Sequence, residues 1–270
     1  MCHGPGETGQ GKRISRVEWH DGNVQSFDSA ADQYDAARPS YPGGIYDILE
    51  ALLGGLATKV VGDGGAGTGV VSRQLLEEGA VVIAFDPGRE MLRRALARTP
   101  DLPALVAEAG AIPLRSSALD LLCFGQSWHW VDQKLGAAEA VRVLRSGGWW
   151  AAWWNHPWAD SETWFDEFCA LLEARCPGYS RHSRDVDWCS TTIAASEEFL
   201  PPQRHIVAWE RQVTIEDWLI DLSSHSYVIA LGEQGAGRLI ADVKSLLHEH
   251  FEIGPMTVPY ETRLWTAQRA

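Results

Sequence analysis

The sequence predicts an α/β protein built around a doubly wound parallel sheet. Strand-like and helix-like segments alternate regularly between residues 45 and 154, and this alternation is typical of parallel strands joined by helices. Residues 80–85 are apolar throughout, as expected of a parallel strand covered on both faces. A glycine-rich turn, residues 62–69, joins the first strand of the series to its helix.

The first elements lie on either side of this turn. Residues 26–38 predict a short helix that ends at Pro39. Residues 45–56 have apolar side chains at helical spacing, which predicts a second helix. Residues 60–61 predict a brief strand that runs into the glycine-rich turn.

The alternation continues from the turn to residue 154. One-sided apolar patterns predict the helices and short apolar runs predict the strands. The helices are 70–78, 88–98 and 135–145, and the strands are 80–85, 104–107, 119–125 and 149–154. Gly79 is expected to cap the first of these helices, and the Ser146-Gly147-Gly148 segment to stop the last.

The pattern changes after Asn155. Apolar residues between 164 and 172 form a helical stripe, and residues 204–213 predict a strand. Thr214 is expected to cap a helix, with Asp217 three residues on. An amphipathic helix (239–251) and a strand (257–266) follow. We therefore expect a flexible N-terminus (1–25) and a single domain (26–270), divided into lid helices, a cofactor-binding core, a helical insertion and a C-terminal part of the sheet: 26–58, 59–155, 156–202 and 203–270.

Composition narrows the classes of function. The 270 residues are 45% hydrophobic and carry a formal charge of −13, which argues against a disordered chain and against a nucleic-acid-binding face. No apolar run approaches the length of a membrane helix, and the Gly-rich start does not resemble a signal peptide, so we expect a cytoplasmic protein. Five irregularly spaced cysteines without a CxxC motif predict neither a disulfide framework nor a metal site.

The glycine-rich turn is the strongest chemical signal. Glycines allow positive φ angles and close approach to a ligand, and the start of the following helix offers unpaired N–H groups. Asp86 ends the next strand, where a carboxylate can accept both hydroxyls of a ribose. Together these features predict a nucleoside site at the carboxyl edge of the sheet.

Two nucleotide chemistries fit this turn. Residues 62–67 match the G-x-G-x-x-G pattern of dinucleotide-binding proteins. In that frame, however, Asp63 lies inside the phosphate loop, where its charge would repel a pyrophosphate. A cofactor without phosphate and with a cationic tail suits Asp63 better. A tight turn with no ligand is the remaining alternative.

Six segments in order resemble the class I S-adenosylmethionine-dependent methyltransferases, most closely the trans-aconitate-like, type 11 small-molecule group. The segments span roughly residues 26–155: a lid segment (27–42), the cofactor loop (63–69), Phe85-Asp86-Pro87 with Met91, residues 107–114, Gln126-Ser127-Trp128-His129-Trp130, and Arg142 to Gly148. Gly64 departs from the family, which more often has an apolar residue there. The resemblance implies a seven-stranded, mostly parallel Rossmann-like sheet, and S-adenosylmethionine as cofactor with S-adenosylhomocysteine as product.

The resemblance also implies a set of cofactor-binding residues. The glycine loop and Asp63 would hold the methionine portion, Asp86 the ribose, and Met91 and Glu108 the adenine. Tyr34 and Arg38 would close the pocket. The full set is Tyr34, Arg38, Asp63, Gly65, Ala66, Gly67, Thr68, Gly69, Asp86, Pro87, Met91, Glu108, Ala109 and Gln126.

His129 is the candidate catalytic base for methyl transfer. It directly follows a strand that should end beside the sulfonium, and an unperturbed His titrates near neutrality. Alternatively, His129 orients a backbone group or packs between Trp128 and Trp130. A base is needed only if the nucleophile must lose a proton, because the enzyme otherwise supplies alignment and a dry site.

The tryptophan content is unusually high: the chain has 13 tryptophans, and eight of them lie between Trp128 and Trp164. Alternation places Trp150 and Trp154 on one face of their strand and Trp149 and Trp153 on the other. Some of them should cover the sheet, whereas those at strand ends are candidates for the acceptor site. The candidate substrate residues are Trp128, Trp130, Trp154, His156, Trp158 and His225.

These observations predict methylation of a small, aromatic or heteroaromatic molecule at O, S or N, in specialised metabolism such as antibiotic biosynthesis. The expected partner is that acceptor alone, with no nucleic acid or membrane, and the protein is expected to be a monomer or homodimer. Two alternatives stay open. One is an NAD(P)-dependent oxidoreductase, and the other is a methyltransferase-like protein that binds the cofactor without turnover.

Overall fold

The computed structural model describes residues 40–181, 188–252 and 254–270. The strands are β1 (Val60–Gly64), β2 (Val81–Asp86), β3 (Ala104–Val106), β4 (Leu119–Gly125), β5 (Leu144–Pro157), β6 (Gln203–Val213) and β7 (Met256–Gln268). They form one seven-stranded sheet in the order β3-β2-β1-β4-β5-β7-β6. Strands β1 to β5 pair in parallel, whereas β7 is antiparallel to both of its neighbours. The predicted mostly parallel, seven-stranded sheet is confirmed.

The helices follow the strands as the alternation predicts. They are α1 (Gly43–Leu53), α2 (Val70–Glu77), α3 (Arg89–Arg98), α4 (Gln133–Val143), α5 (Thr163–Arg175), α6 (Trp188–Ala194), α7 (Ile215–Ser223), α8 (Ser226–Ile229) and α9 (Gly232–His250). A short 3₁₀ turn (Trp128–Trp130) follows β4. Thr214 caps α7 as predicted, since its side chain accepts from the Asp217 N–H. The helix predicted at 26–38 lies outside the described residues.

Several boundaries differ from the predicted ones. Strand β1 continues through residues 62–64, which were assigned to the turn. Strand β5 begins at Leu144, so the expected stop at Gly147-Gly148 lies within the strand, where its pairing with β4 shifts register between Leu119 and Leu121. The irregularity accommodates these residues without ending the strand.

The two faces of the sheet carry separate apolar clusters. One face packs α1, α2 and α3 against strand residues that include Trp153, and Trp149 borders this cluster. The other packs α4 against residues that include Trp150 and Trp154. The predicted alternation of the four tryptophans along β5 is therefore confirmed.

A third apolar cluster lies beyond the parallel part of the sheet. It joins α5, α7 and α9 to the neighbouring ends of β6 and β7, with Trp164, Trp218 and Tyr260 among its large side chains. Helices α5, α7 and α9 thus form a helical body on the antiparallel edge of the sheet. Within the described ranges, no helix is both long and apolar enough to span a bilayer.

The strand order fixes where a ligand can bind. From β1 the chain builds the sheet outward through β2 and β3 on one side, and then returns to place β4 on the other side of β1. The direction of the strand order therefore reverses between β1 and β4. In open parallel sheets, the helices diverge at such a reversal and leave a crevice at the carboxyl ends of the strands. Here that crevice lies beside Gly64 and Gly125.

Candidate active site

A cleft lies at the predicted position, and its empty space, including the solvent at its mouth, is about 490 Å³. Six predicted cofactor residues line it: Gly65, Ala66, Gly67, Thr68, Met91 and Gln126. Four further lining residues were not singled out from the sequence: Tyr41, Val70, Val71 and Gly125. The cleft therefore lies between the glycine turn with the start of α2, the end of β4, and Tyr41, which is two residues before α1.

Glycine is required in the turn for two separate reasons. Gly65 has φ +63° and Gly67 has φ +56°, a left-handed conformation that side chains disfavour. A Cβ on Gly65 would also lie 2.5 Å from the Ser127 Cβ. The unexpected Gly64 has a similar explanation, because a Cβ there would overlap the Phe124 ring.

Asp86 ends β2 and holds the glycine turn. Its two carboxylate oxygens accept from the Gly67 N–H at 3.0 Å and from the Gly88 N–H at 2.7 Å. The carboxylate is half-buried at the carboxyl edge of the sheet. Asp86 thus fixes the conformation of the glycine turn from the position where a ribose would bind.

Asp63 lies within β1 and is almost fully buried, at 1% exposure. One oxygen accepts from Ser72 Oγ at 2.6 Å, whereas Oδ1 has no hydrogen-bond partner among the described residues. Burial raises the pKa of Asp63 to about 7; Ser72 lowers it and the charge of Asp86 adds to the rise. A buried carboxylate with an orphaned oxygen is suited to a cationic partner.

The segment after β4 closes the other side of the cleft. Gln126 has φ +51°, which is unusual for a residue with a side chain, and its N–H donates to the Trp153 carbonyl at 2.8 Å. Ser127 Oγ donates to the Gly64 carbonyl at 2.6 Å. These bonds tie the ends of β1, β4 and β5 together, so the Gln126 backbone is held at the wall of the cleft.

The remaining predicted cofactor residues divide into four groups. Gly69 precedes α2 with φ +81°, and a Cβ there would lie 3.1 Å from the Ala95 Cβ. Val106 pairs with Asp86, which places the exposed Glu108 and the half-buried Ala109 just beyond the same edge. Pro87 is exposed after β2. Tyr34 and Arg38 lie outside the described residues.

His129 is exposed in the 3₁₀ turn, three residues after Gln126. The indole Nε1 of Trp154, near the end of β5, donates to His129 Nδ1 at 3.2 Å. Trp154 is itself 9% exposed and packs edge-on against Trp265 at 5.7 Å between ring centroids. His129, the predicted base, and Trp154, a predicted substrate residue, are therefore hydrogen-bonded to each other.

The two tryptophans beside His129 differ completely in burial. Trp130 is 66% exposed, which is compatible with contact to an acceptor. Trp128 is fully buried, with its ring 4.7 Å from Phe124 and 5.2 Å from Trp150 between centroids. The prediction that Trp128 contacts substrate is corrected: its indole occupies the core beneath α4, where Gly136 leaves room for it.

Of the other predicted acceptor residues, His156 and Trp158 lie further along the sheet edge, whereas His225 lies in the helical body. His156 is half-buried and pairs with Glu261 across β5 and β7. Trp158 is half-buried, and the Arg263 guanidinium lies 4.4 Å from its ring centroid. His225 is exposed before α8 and stacks on Tyr227 at 5.1 Å, within the helical body.

Two supporting residues were missed from the sequence. Ser72 bonds to Asp63 from the first turn of α2, and Ser127 bonds to the Gly64 carbonyl. A signal for Ser72 exists in retrospect, because it lies nine residues after Asp63 on the helix that follows the turn. The described part of the chain holds no cluster of three or more residues suited to a metal ion.

Comparison with known proteins matches this geometry. A family model described as a methyltransferase domain covers residues 62–152. An uncharacterized methyltransferase of Mycobacterium tuberculosis is 34% identical over 241 residues, which cover 88% of this chain and 93% of that protein. A malonyl-[acyl-carrier protein] O-methyltransferase of Herminiimonas arsenicoxydans is 33% identical over 125 residues, 46% of this chain and 47% of that protein.

A solved structure shares the fold at lower sequence identity. It is assigned as a type II methyltransferase from Anaeromyxobacter dehalogenans, with a TM-score of 0.64 and 23% identity. The similarity covers 86% of this chain and 97% of that one, so it extends beyond the glycine turn to the antiparallel edge of the sheet.

Proposed function

Because this chain belongs to the class I methyltransferase family, we propose that it transfers a methyl group from S-adenosylmethionine to a small molecule. The observation that carries the proposal is the pair of carboxylates flanking the glycine turn. Asp63 is buried with an orphaned oxygen, and Asp86 holds the turn from the end of β2. The pair suits a ligand with a cationic amino group at one end and a ribose at the other.

The residues present fit this cofactor. The orphaned Asp63 Oδ1 can accept from the methionine ammonium, directly or through water, and Gln126 can offer its backbone carbonyl to the same group. Gly65 and Gly67 allow the backbone to approach the methionine chain, and Met91 offers an apolar wall for the adenine. S-adenosylmethionine supplies an electrophilic methyl group on a cationic sulfur.

The residues of this chain then contribute binding and alignment. In-line displacement requires the acceptor to approach from the side opposite to the leaving sulfur, at a site that excludes water. The ends of β4 and β5 lie next to the glycine turn, so an acceptor held there would face the methyl group. Electrostatic repulsion by an acidic chain of charge −13 favours small molecules over nucleic acids as acceptors.

An aromatic or heteroaromatic acceptor is the class that the sheet edge supports best. Trp130 is largely exposed beside His129, and Trp158 lies under Arg263 at the end of β5. Indole faces stack on flat rings and attract cations. One of the relatives is named as an O-methyltransferase, which favours oxygen as the accepting atom.

Calorimetric titration with S-adenosylhomocysteine tests the cofactor, with NAD(H) and NADP(H) as controls. We expect micromolar binding of the first and none of the others. Asp86→Ala should weaken the affinity about 10–100-fold, because charge-assisted hydrogen bonds to the ribose and to the glycine turn are lost. Asp86→Asn keeps an oxygen that can accept from one N–H and should lose less.

Each other outcome has a definite meaning. Binding of a nicotinamide dinucleotide would assign the turn to an oxidoreductase, and unchanged affinity in Asp86→Ala would remove Asp86 from the site. Binding of none of these molecules would overturn the proposal. Tight binding of S-adenosylhomocysteine without methyl transfer to any acceptor would favour the non-catalytic alternative.

A further inference from the structure

A hydrogen bond joins the ends of two strands beside the cleft. Gly125, which lines the cleft, pairs with Trp153, and Trp154 is the next residue along β5. From this position the Trp154 indole reaches His129 Nδ1 at 3.2 Å. His129 thus lies at the edge where an acceptor would face the cofactor, and its ring has a defined partner on one nitrogen.

The chemistry of indole fixes the direction of this bond. Indole Nε1–H can only donate, so His129 Nδ1 must accept with its lone pair. A neutral imidazole that accepts at Nδ1 carries its proton at Nε2. A proton on Nδ1 would place two N–H groups against each other and break the bond. The bond therefore favours the neutral ring with an N–H at Nε2.

Trp154 is held firmly in this arrangement. It is 9% exposed, its backbone pairs with Arg263 of β7, and its ring packs edge-on against Trp265. The strand register places three other ionisable side chains on the same face: Arg263 opposite Trp154, and His156 opposite Glu261. Glu261 accepts from the Arg263 guanidinium at 3.2 Å.

We propose that His129 serves in methyl transfer as a hydrogen-bond donor from Nε2, that Trp154 is its positioning residue, and that the acceptor is an oxyanion. This inference rests on the proposed function and replaces the role of general base expected from the sequence. A general base must use a nitrogen lone pair to take a proton from the acceptor. The Nε2 of this ring instead carries an N–H, which can donate a hydrogen bond to a lone pair of the acceptor. An acceptor that arrives as an oxyanion needs no base and gains from such a donor.

The reaction balances without proton transfer. The acceptor oxygen forms the new O–CH₃ bond while the carbon–sulfur bond breaks and its electron pair goes to sulfur. The negative charge of the oxyanion and the positive charge of the sulfonium disappear together. An aromatic carboxylate can use one oxygen as nucleophile while the other accepts from His129, and a phenolate can do both with its one oxygen.

Nitrogen NMR of the histidine ring tests the tautomer without requiring an acceptor. In protein carrying ¹⁵N-labelled histidine and saturated with S-adenosylhomocysteine, we expect His129 to show a bare, accepting Nδ1 and a protonated Nε2. The signals are assigned by their loss in His129→Gln. Trp154→Phe should shift them toward the averaged tautomers or the protonated ring.

Trp150→Phe is the matched control, because Trp150 lies on the same strand and face and its indole N–H has no hydrogen-bond partner among the residues that the structure describes. It should leave the His129 signals unchanged. Circular dichroism checks that both variants are folded, and calorimetry that they bind S-adenosylhomocysteine. A protonated Nδ1 in the wild type, or equal shifts in the two variants, would overturn the role of Trp154.

Methyl transfer tests the acceptor class, with benzoate, indole-3-acetate and phenol as probes and aniline as the neutral control. His129→Gln keeps a donor N–H but cannot act as a base, so it should retain activity within about tenfold of wild type. His129→Ala should lose about 10–100-fold, as expected for a hydrogen bond to a charged group. Carboxylate and phenol acceptors are distinguished by which probes are methylated.

Equal losses in the Gln and Ala variants would overturn the donor role and restore a base. Methylation of aniline but of none of the oxyanions, or of no probe at all by protein that binds S-adenosylhomocysteine, would overturn the acceptor class. Failure to bind S-adenosylhomocysteine would instead overturn the proposed function, so the two failures are distinguishable.

Discussion

The burial of the Asp63 carboxylate lowers the stability of the folded protein when no ligand is bound. Its carboxylate is withdrawn from water, and only one of its two oxygens is hydrogen-bonded. Desolvation disfavours the charged form, which is why the pKa rises to about 7. A cationic amino group beside Oδ1, such as that of the proposed cofactor, would offset this penalty.

This pKa has a consequence for stability. Unfolded Asp63 loses its proton near pH 3.8 and folded Asp63 near pH 7. Between these values the folded state binds more protons, so the free energy of unfolding falls as pH rises and the full penalty is present above about pH 7. Asp63→Asn removes the titration. From pH 5 to pH 8, its stability relative to wild type should rise by roughly 3 kcal/mol, since one pKa unit is about 1.4 kcal/mol.

Urea unfolding of both proteins at several pH values between 5 and 8 measures this change. Glu108→Gln is a suitable control, because Glu108 is exposed at the same sheet edge. A difference between Asp63→Asn and wild type that stays constant with pH would show that folded Asp63 is already ionised at pH 5, so that burial does not raise its pKa to about 7.

At the scale of elements, the glycine turn carries the most demanding backbone of the site. Gly65 combines a φ of +63° with a Cβ position 2.5 Å from the Ser127 Cβ. Gly54, which follows α1, has nearly the same φ of +66° but nothing within 4 Å of its Cβ position. A side chain at Gly54 would lower stability only through its backbone conformation, whereas one at Gly65 would also clash with Ser127. Comparing the two positions therefore separates the conformational effect from the steric effect.

Gly54→Ala should destabilise the protein by about 1–2 kcal/mol, the usual cost of a left-handed side-chain-bearing residue. Gly65→Ala should cost more and should also abolish S-adenosylhomocysteine binding, because Ser127 or the turn must move. Urea unfolding and calorimetry measure the two effects. Equal destabilisation by both substitutions, with binding intact, would contradict the close packing of the turn on Ser127.

The sequence predicts elements well where the local pattern decides them. Strand β4 has the predicted limits because its apolar run is fully buried and ends at Gly125. The start of α9 was missed, since Gly232, Gly235 and Gly237 indicate a loop. There the helix continues because Leu239 and later residues bury its apolar face in the helical body, and this tertiary contact overrides the poor helix propensity of glycine.

The whole molecule joins a parallel sheet to the helical body, and a buried ion pair lies at their junction. Arg211 of β6 donates to Asp221 of α7 at 2.9 Å and to the Tyr260 hydroxyl of β7 at 3.0 Å. Arg211 and Tyr260 are 7% and 4% exposed. Burial raises the pKa of Tyr260 to about 12, with Arg211 opposing the rise, so the hydroxyl stays protonated.

Removal of one partner should be costly here. Asp221→Ala removes a counter-charge of the buried Arg211 guanidinium and should destabilise the protein by roughly 3–5 kcal/mol. The control is Asp242→Ala, which removes an exposed partner of Arg175 at 2.8 Å and should cost less than about 1 kcal/mol. Urea unfolding measures both. Similar values for the two would mean that the junction does not depend on its ion pair.

Site residues are predictable where the chain order alone brings them to the sheet edge. Asp63 is the last residue but one of β1, Asp86 ends β2 and Gly65 follows β1, so their positions at the sheet edge could be inferred. Burial depends on distant partners instead: Trp128 follows a strand end as well, yet Gly136 of α4 makes room for its indole in the core. The bond between His129 and Trp154 spans 25 residues, and no local pattern predicts it.

The position of β7 also sets the order in which the protein can be assembled during its synthesis. Strand β6 ends at Val213, but β7, the strand through which it joins the sheet, begins at Met256. At a translation rate of about 5–20 residues per second, β6 leaves the ribosome roughly 2–9 seconds before β7. Throughout that interval the edges of β5 and β6 are without β7, the strand that lies between them in the finished sheet. The nascent chain is therefore most open to wrong strand pairing just before β7 is synthesised.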